Sequence, residues 1–204
     1  INSDNFTLNA EKVKAYFDKD LYDIINIFSQ GSVILESKNG TKVLGNEVEY
    51  NVKKEEIKIK GKKSFLQNNE FTMASDESIY LNNLTGEFEL YGPNSKLITA
   101  DIKITGESIK GKYSDFDGIK EVEKLDVEDK KEVNIITETS NMFAKKAKYN
   151  KQENLIELFE NVIINRENES ITGDYAKINT LDESYFVKTN DSKRVKVILE
   201  KKDE

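Results

Sequence analysis

Residues 144–178 read AKKAKYNKQENLIELFENVIINRENESITGDYAKI, and this stretch decides the reading of the whole chain. Two strand-like runs surround Asn161-Val162. A small residue opens the same phrase twice, as Ala144-x-x-Ala147-x-Tyr149 and as Gly173-x-x-Ala176-x-Ile178. A polar turn follows each opening, at residues 150–154 and 179–184, and an alternating run follows each turn. Successive Cβ atoms of a strand point to opposite sides, so apolar residues at every second position bury one face and leave the other in water.

Working outward, small residues mark similar openings at Ala10, Gly45, Ser75 and Gly106. Together with Ala144 and Gly173 they form an irregular repeat of roughly thirty residues, in the range of stacked supersecondary units. Two strands per unit predict about a dozen short strands. The pairs Val48/Tyr50, Ile57/Ile59, Phe88/Leu90, Ile102/Ile104, Ile156/Leu158, Val162/Ile164 and Val195/Val197 each point one way. Lys38-Asn39-Gly40 is a strong turn signal. Residues 72–81, 97–105, 119–127 and 133–137 read as strands.

Residues 9–29 allow two readings. Val13, Tyr16, Phe17, Leu21, Ile24, Ile25 and Phe28 suit an amphipathic helix capped by Asn9. They also suit two strands, 13–17 and 22–28, joined by Asp18-Lys19-Asp20. The second reading repeats what the rest of the chain does and is preferred. No other stretch offers a helix to cover the apolar face, so the sheet must fold on itself. The expected fold is all-β: one elongated, folded-over antiparallel sheet over residues 1–204, with residues 200–204 a charged tail. Its inward residues could equally pack together as a closed core.

Composition narrows the chemistry. Hydrophobic residues make up 37% and charged residues 34%, which suits a thin-walled fold better than a compact sphere. The net charge is −7 with no basic block to offset it, so nucleic acid is not an expected partner. There is no His, Cys or Trp, which removes Cys/His metal sites, thiol nucleophiles and imidazole triads. The lack of Cys says little about compartment. No run reads as a transmembrane span or signal peptide. The chain opens on Ile1 rather than Met, which leaves room for a preceding signal peptide or inner-membrane anchor.

Acidic motifs carry little. Asp115-x-Asp117-Gly118, with Asp126, Glu128 and Asp129 nearby, lacks the spacing of a calcium loop and reads as a solvated turn. Glu87, Glu89, Asp101 and Glu107 could supply a carboxylate pair for glycoside chemistry. Among 38 acidic residues some pair is guaranteed. No catalytic residue, metal or cofactor is therefore expected.

The phrase Ala147-Lys148-Tyr149-Asn150 through Leu158, then Glu160-Asn161-Val162-Ile163-Ile164 and Ile171-Thr172-Gly173-Asp174-Tyr175-Ala176, resembles the OstA-like family of the lipopolysaccharide transport system. Residues 45–59 are a weaker match, and Gln30-Gly31-Ser32-Val33 resembles the family's Gly-x-Val step. Glu160 stands where the family usually has Gly, and residues 107–134 fit poorly. The resemblance implies a β-taco or β-jellyroll whose apolar interior shields lipid A acyl chains in the periplasm. It implies a lipid groove formed by Val48, Tyr50, Ile57, Ile59, Phe88, Leu90, Ile102, Ile104, Ile156, Leu158, Val162 and Ile164. It also implies edge-to-edge joining, either to other β-taco proteins of the export bridge or head to tail to itself. The joining strands would carry Phe6 and Leu8 at one end and Tyr185, Val187, Val195 and Val197 at the other. The competing expectations are a structural or adhesive surface β-solenoid without a lipid ligand, and a polysaccharide-active β-helix.

Overall fold

The fold is described from a computed structural model covering residues 6–19, 23–116, 119–189 and 195–199. The expected charged tail at 200–204 lies outside these residues, as do Asp20 of the expected turn and Asp117 and Gly118 of the acidic motif. The described residues form one antiparallel sheet of sixteen strands. The first eight are β1 (Phe6–Asn9), β2 (Lys12–Phe17), β3 (Ile24–Ser37), β4 (Lys42–Asn51), β5 (Glu56–Lys60), β6 (Ser64–Gln67), β7 (Thr72–Ser75) and β8 (Ser78–Asn82). The remainder are β9 (Glu87–Ile98), β10 (Lys103–Phe116), β11 (Ile119–Ile136), β12 (Asn141–Asn150), β13 (Leu155–Arg166), β14 (Glu169–Asn179), β15 (Tyr185–Lys188) and β16 (Lys196–Leu199).

The long strands each serve two leaves. β3 pairs with β2 through its first half and with β1 through its second. β4 pairs with β5 on one side of Gly45 and with β6 on the other. β9 pairs with β8 and then with β7, and β14 pairs with β15 and with β16. One leaf thus runs from β2 to β15 and the other from β1 to β16. Their apolar faces meet in a single core.

The bends between leaves explain the repeat. Register breaks fall at Gln30/Val33, Gly106/Ser108, Glu128/Val133, Phe143/Lys146 and Phe159/Val162. At the seam a larger residue faces a small one: Val33 opposite Gly45, Val133 opposite Ala144, and Val162 opposite Gly173. A Cβ on Gly173 would stand 2.4 Å from Val187 Cγ1 and 3.0 Å from the Lys188 carbonyl oxygen. The small anchors are therefore the points where the sheet folds. Several of the bends carry left-handed residues, at Ser32, Asn94, Glu160 and Asn161. Bending breaks ladder bonds, and buried hydroxyls compensate. Ser64 donates to the Gly61 carbonyl at 2.7 Å, Ser75 to that of Tyr91 at 2.6 Å, and Ser95 to that of Gly92 at 2.7 Å.

Within each leaf the register lines up inward-facing residues, nearly all of them apolar. On the β1–β16 leaf, Leu8, Leu35, Val43, Leu66, Met73 and Leu97 are direct cross-strand neighbours in turn. Ile104, Ile135, Met142, Ile164, Ile171 and Val197 continue the row. The facing leaf carries an equivalent row through Val48, Ile59, Ile79, Leu90, Ile109 and Val127, in which Ser29 is the polar member. The outer face of that leaf alternates charge instead: Lys110 meets Glu89 at 3.0 Å and Lys177 meets Glu157 at 3.7 Å. Opposite charges facing across strands support this register, whereas like charges would oppose it.

The preferred strand reading of residues 9–29 holds: β2 and the first half of β3 lie there, and the described residues among them form no helix. Several expectations need correction. Residues 97–105 are not one strand, because a turn closed by Thr99 N–H to the Ile102 carbonyl at 2.9 Å divides β9 from β10. Ile102 therefore sits at a turn rather than beside Ile104 on a strand. The strands are more numerous than a dozen and several are long, because the chain runs straight through the seam. Residues 119–136 are one strand, not two, and β6 carries no clear alternation in the sequence.

Candidate functional site

Of the twelve expected groove residues, nine are buried: Val48, Ile59, Phe88, Leu90, Ile104, Ile156, Leu158, Val162 and Ile164. Ile57 and Ile102 are half-buried and pack against that core, and Tyr50 is half-buried. Local sequence explains the common direction, since all but Ile102 lie on strands, where alternate residues face inward. Most of these side chains fill the space between the leaves. Ile59, Leu90 and Ile164 are each 0% exposed.

Open space lies along the mouth, where the leaves end away from the seam. A cavity of about 700 Å³ is lined there by apolar Phe71, Ile102, Val122, Met142, Ile156 and Ile178. Only Ile102 and Ile156 of the expected set reach it. Sequence reading missed Met142 and Ile178, although both fall on the alternation of their strands. Phe71 lies in the β6–β7 turn, where period-2 patterning gives no signal, and Val122 lies on β11 out of phase with Leu125 and Val127, across the register shift at Lys112/Tyr113.

Two bridges cross the mouth. Phe71, in the β6–β7 turn, packs against Tyr113 of β10 with ring centroids 5.8 Å apart. The Tyr113 hydroxyl donates to Asn83 Oδ1 at 2.8 Å, and Lys120 Nζ lies 5.0 Å above its ring. Burial, reinforced by Asp115, Glu55 and Glu70, pushes the Tyr113 phenol up to about 12. The second bridge is built on Arg166 of β13. Its Nε donates to Ser140 Oγ at 2.9 Å and one terminal nitrogen to the Glu183 carbonyl at 2.6 Å, while Thr139 donates to the Glu183 carboxylate at 2.9 Å. Turns of both leaves are thereby tied together.

The rim is polar. Carboxylates of Glu70, Asp101, Glu121, Glu138 and Glu183 surround it, with Lys120, Lys151 and Arg166 the cations. Among the described residues no three Asp or Glu side chains are arranged to hold a metal ion.

The expected joining residues occupy the ends of the sheet. Leu8 is buried and Phe6 and Val187 pack against the core. Tyr185, Val195 and Val197 are exposed at 39%, 41% and 50%, and Phe186, Ile198 and Leu199 extend the apolar surface. Val195 immediately precedes β16. Among the described residues β1 and β2 pair only with β3, and β15 and β16 only with β14.

No family model and no curated protein sequence matches the chain. A solved structure with the same fold is that of LptH, the LptA-homologous periplasmic component of the lipopolysaccharide transport device from Pseudomonas aeruginosa. The identity is 12% and the TM-score 0.53, with 64% of this chain and 95% of that one covered. The all-β, folded-over architecture expected from the sequence is thus the architecture observed, and it is shared with a known transport component.

Proposed function

We propose that this chain is a periplasmic lipopolysaccharide-binding component of an export bridge, acting without catalysis. Lipid A acyl chains enter between the leaves while the saccharide stays in water. The terminal strands join neighbouring β domains of the bridge, or further copies of this chain, edge to edge. The carrying observation is the apolar ladder that crosses the sheet from Leu8 to Val197. Each buried CH₂ contributes about 0.8 kcal/mol without directional demand, so cargo can slide along such a lining. The mouth cavity is the point of entry, and its volume lies in the range of about 300–1,000 Å³ found for ligand sites. The likeness of fold to LptH supports this reading. The tight filling of the seam side supports a second one, a surface β-solenoid that carries nothing.

Photo-crosslinking to purified lipopolysaccharide separates the two. Photoreactive residues at Met142 and Ile156 should give adducts, and outward controls at Lys58 and Glu157 should not. Protein that is folded by circular dichroism yet gives no adduct at either inward position would leave the solenoid standing.

A further inference from the structure

We infer that the Tyr149 hydroxyl donates a hydrogen bond to the carbonyl oxygen through which an acyl chain joins its head, and so sets the depth at which the chain stops; this rests on the reading of the interior as an acyl-chain site. Tyr149 stands on the border between the two halves of the mouth cavity. Its place in the register is inward, between Leu125 of β11 and Ile156 of β13, and its ring packs against the core. The cavity beside it is apolar on the inner side, at Met142, Ile156 and Ile178, and charged at the rim. Burial raises the Tyr149 phenol above its ordinary value, outweighing the opposite pull of Lys151, so it keeps its proton and remains a donor. Tyr113 and Tyr185 already donate, to Asn83 at 2.8 Å and to Glu169 at 2.9 Å. The Tyr149 hydroxyl, in contrast, makes no hydrogen bond among the described residues. An acyl chain brings apolar carbons and, where it meets its head, an ester or amide carbonyl that needs a donor. A half-buried tyrosine, apolar in its ring and polar at its tip, matches that junction. Burial of CH₂ groups is indifferent to depth, whereas one donor at the border gives the chain a stop. A neutral hydrogen bond changes affinity about five-fold, which still lets the cargo move on.

The test is isothermal titration calorimetry of the whole chain with two lipids kept below their micelle concentrations. They are lysophosphatidylcholine and its 1-O-alkyl counterpart of equal chain length, which differ only in the ester carbonyl. The ester should bind about five-fold more tightly than the ether. Tyr149→Phe should bring the ester down to the affinity of the ether, and leave the ether and the urea midpoint unchanged. Tyr80 lies on the outer face between Lys58 and Glu89, and its hydroxyl donates to Glu56 at 3.2 Å. Tyr80→Phe should therefore keep the preference of the parent. Equal or weaker binding of the ester by the parent overturns the inference while leaving the acyl-chain site intact. So does a preference that survives in Tyr149→Phe or is lost in Tyr80→Phe as well. A lowered urea midpoint for Tyr149→Phe also overturns it, because the hydroxyl would then be holding the fold. Binding of neither lipid overturns the acyl-chain reading and this inference with it.

Discussion

Tyr113 packs against Phe71 of the facing leaf at the mouth, and its environment makes a measurable claim. The unfolded phenol ionises near 10.0 and the folded one at about 12, because burial and nearby carboxylates disfavour the phenolate. Its contribution to stability is therefore whole below pH 10.0 and is lost as the pH rises through about 12. Urea midpoints stepped across that window should fall, and Tyr113→Phe should flatten the fall. Some slope remains from Tyr175, also raised to about 12 by burial and its hydrogen bond to Glu157. A Tyr113→Phe variant as steep as the parent would show that this phenol does not titrate with unfolding. Glu160 makes a second claim. Its φ of 63° lies in the left-handed region, which costs a residue with a Cβ about 1–2 kcal/mol. Glu160→Gly should raise stability by about 1 kcal/mol in urea denaturation, after the glycine's larger unfolded-state entropy is set against the relief. A lower midpoint would mean that the Glu side chain contributes more than its backbone costs. The sequence already showed Glu160 to be out of place beside its resemblance to a glycine pattern. The φ value shows what that departure means.

At the scale of elements, the strands fold at their small residues. Gly173→Val would press a branched side chain against Val187 and the Lys188 carbonyl. It should cost about 1–3 kcal/mol as overpacking, read as a lowered denaturation midpoint. Ser95→Ala should cost a similar amount, about 1–3 kcal/mol, by leaving the buried Gly92 carbonyl without its donor. If either variant is as stable as the parent, the bend is held by something other than these contacts. The anchors Ala10, Gly45, Ser75, Gly106, Ala144 and Gly173 were legible because a small residue at a close approach leaves a compositional mark. The left-handed partners Ser32, Asn94, Glu160 and Asn161 were not, since they mix Ser, Asn and Glu. The turn at Thr99 was also hidden. Ile98, Ile102 and Ile104 keep one period-2 phase in the sequence, although the buried residue before the turn is Leu97 and not Ile98.

Over the whole molecule, the ends of the sheet differ. The β15 and β16 end exposes Tyr185, Phe186, Val197, Ile198 and Leu199, whereas at the other end Leu8 of β1 is buried and Tyr16 and Phe17 of β2 are exposed. Unequal ends suit head-to-tail addition of strands rather than a symmetric pair. Tyr185→Lys combined with Val197→Lys places charge on both terminal strands at exposed sites. Sedimentation at high concentration should then show less association than the parent. An unchanged profile would remove the C-terminal edge from any joining role.

The sequence by itself determined that strands dominate, which face of each turns inward, and that His- and Cys-based chemistry is absent. Those properties follow from local alternation and from composition. Only the tertiary structure decided that most of the lining closes into a core and that a cavity survives at the mouth. It alone brought Glu70, Asp101 and Glu138 onto one rim, and gathered Arg166, Ser140 and Glu183 into a bridge. These groups lie far apart in the chain and on turns, where no periodicity operates. Their meeting depends on where the sheet bends and on how its sixteen strands register, and no single segment encodes either.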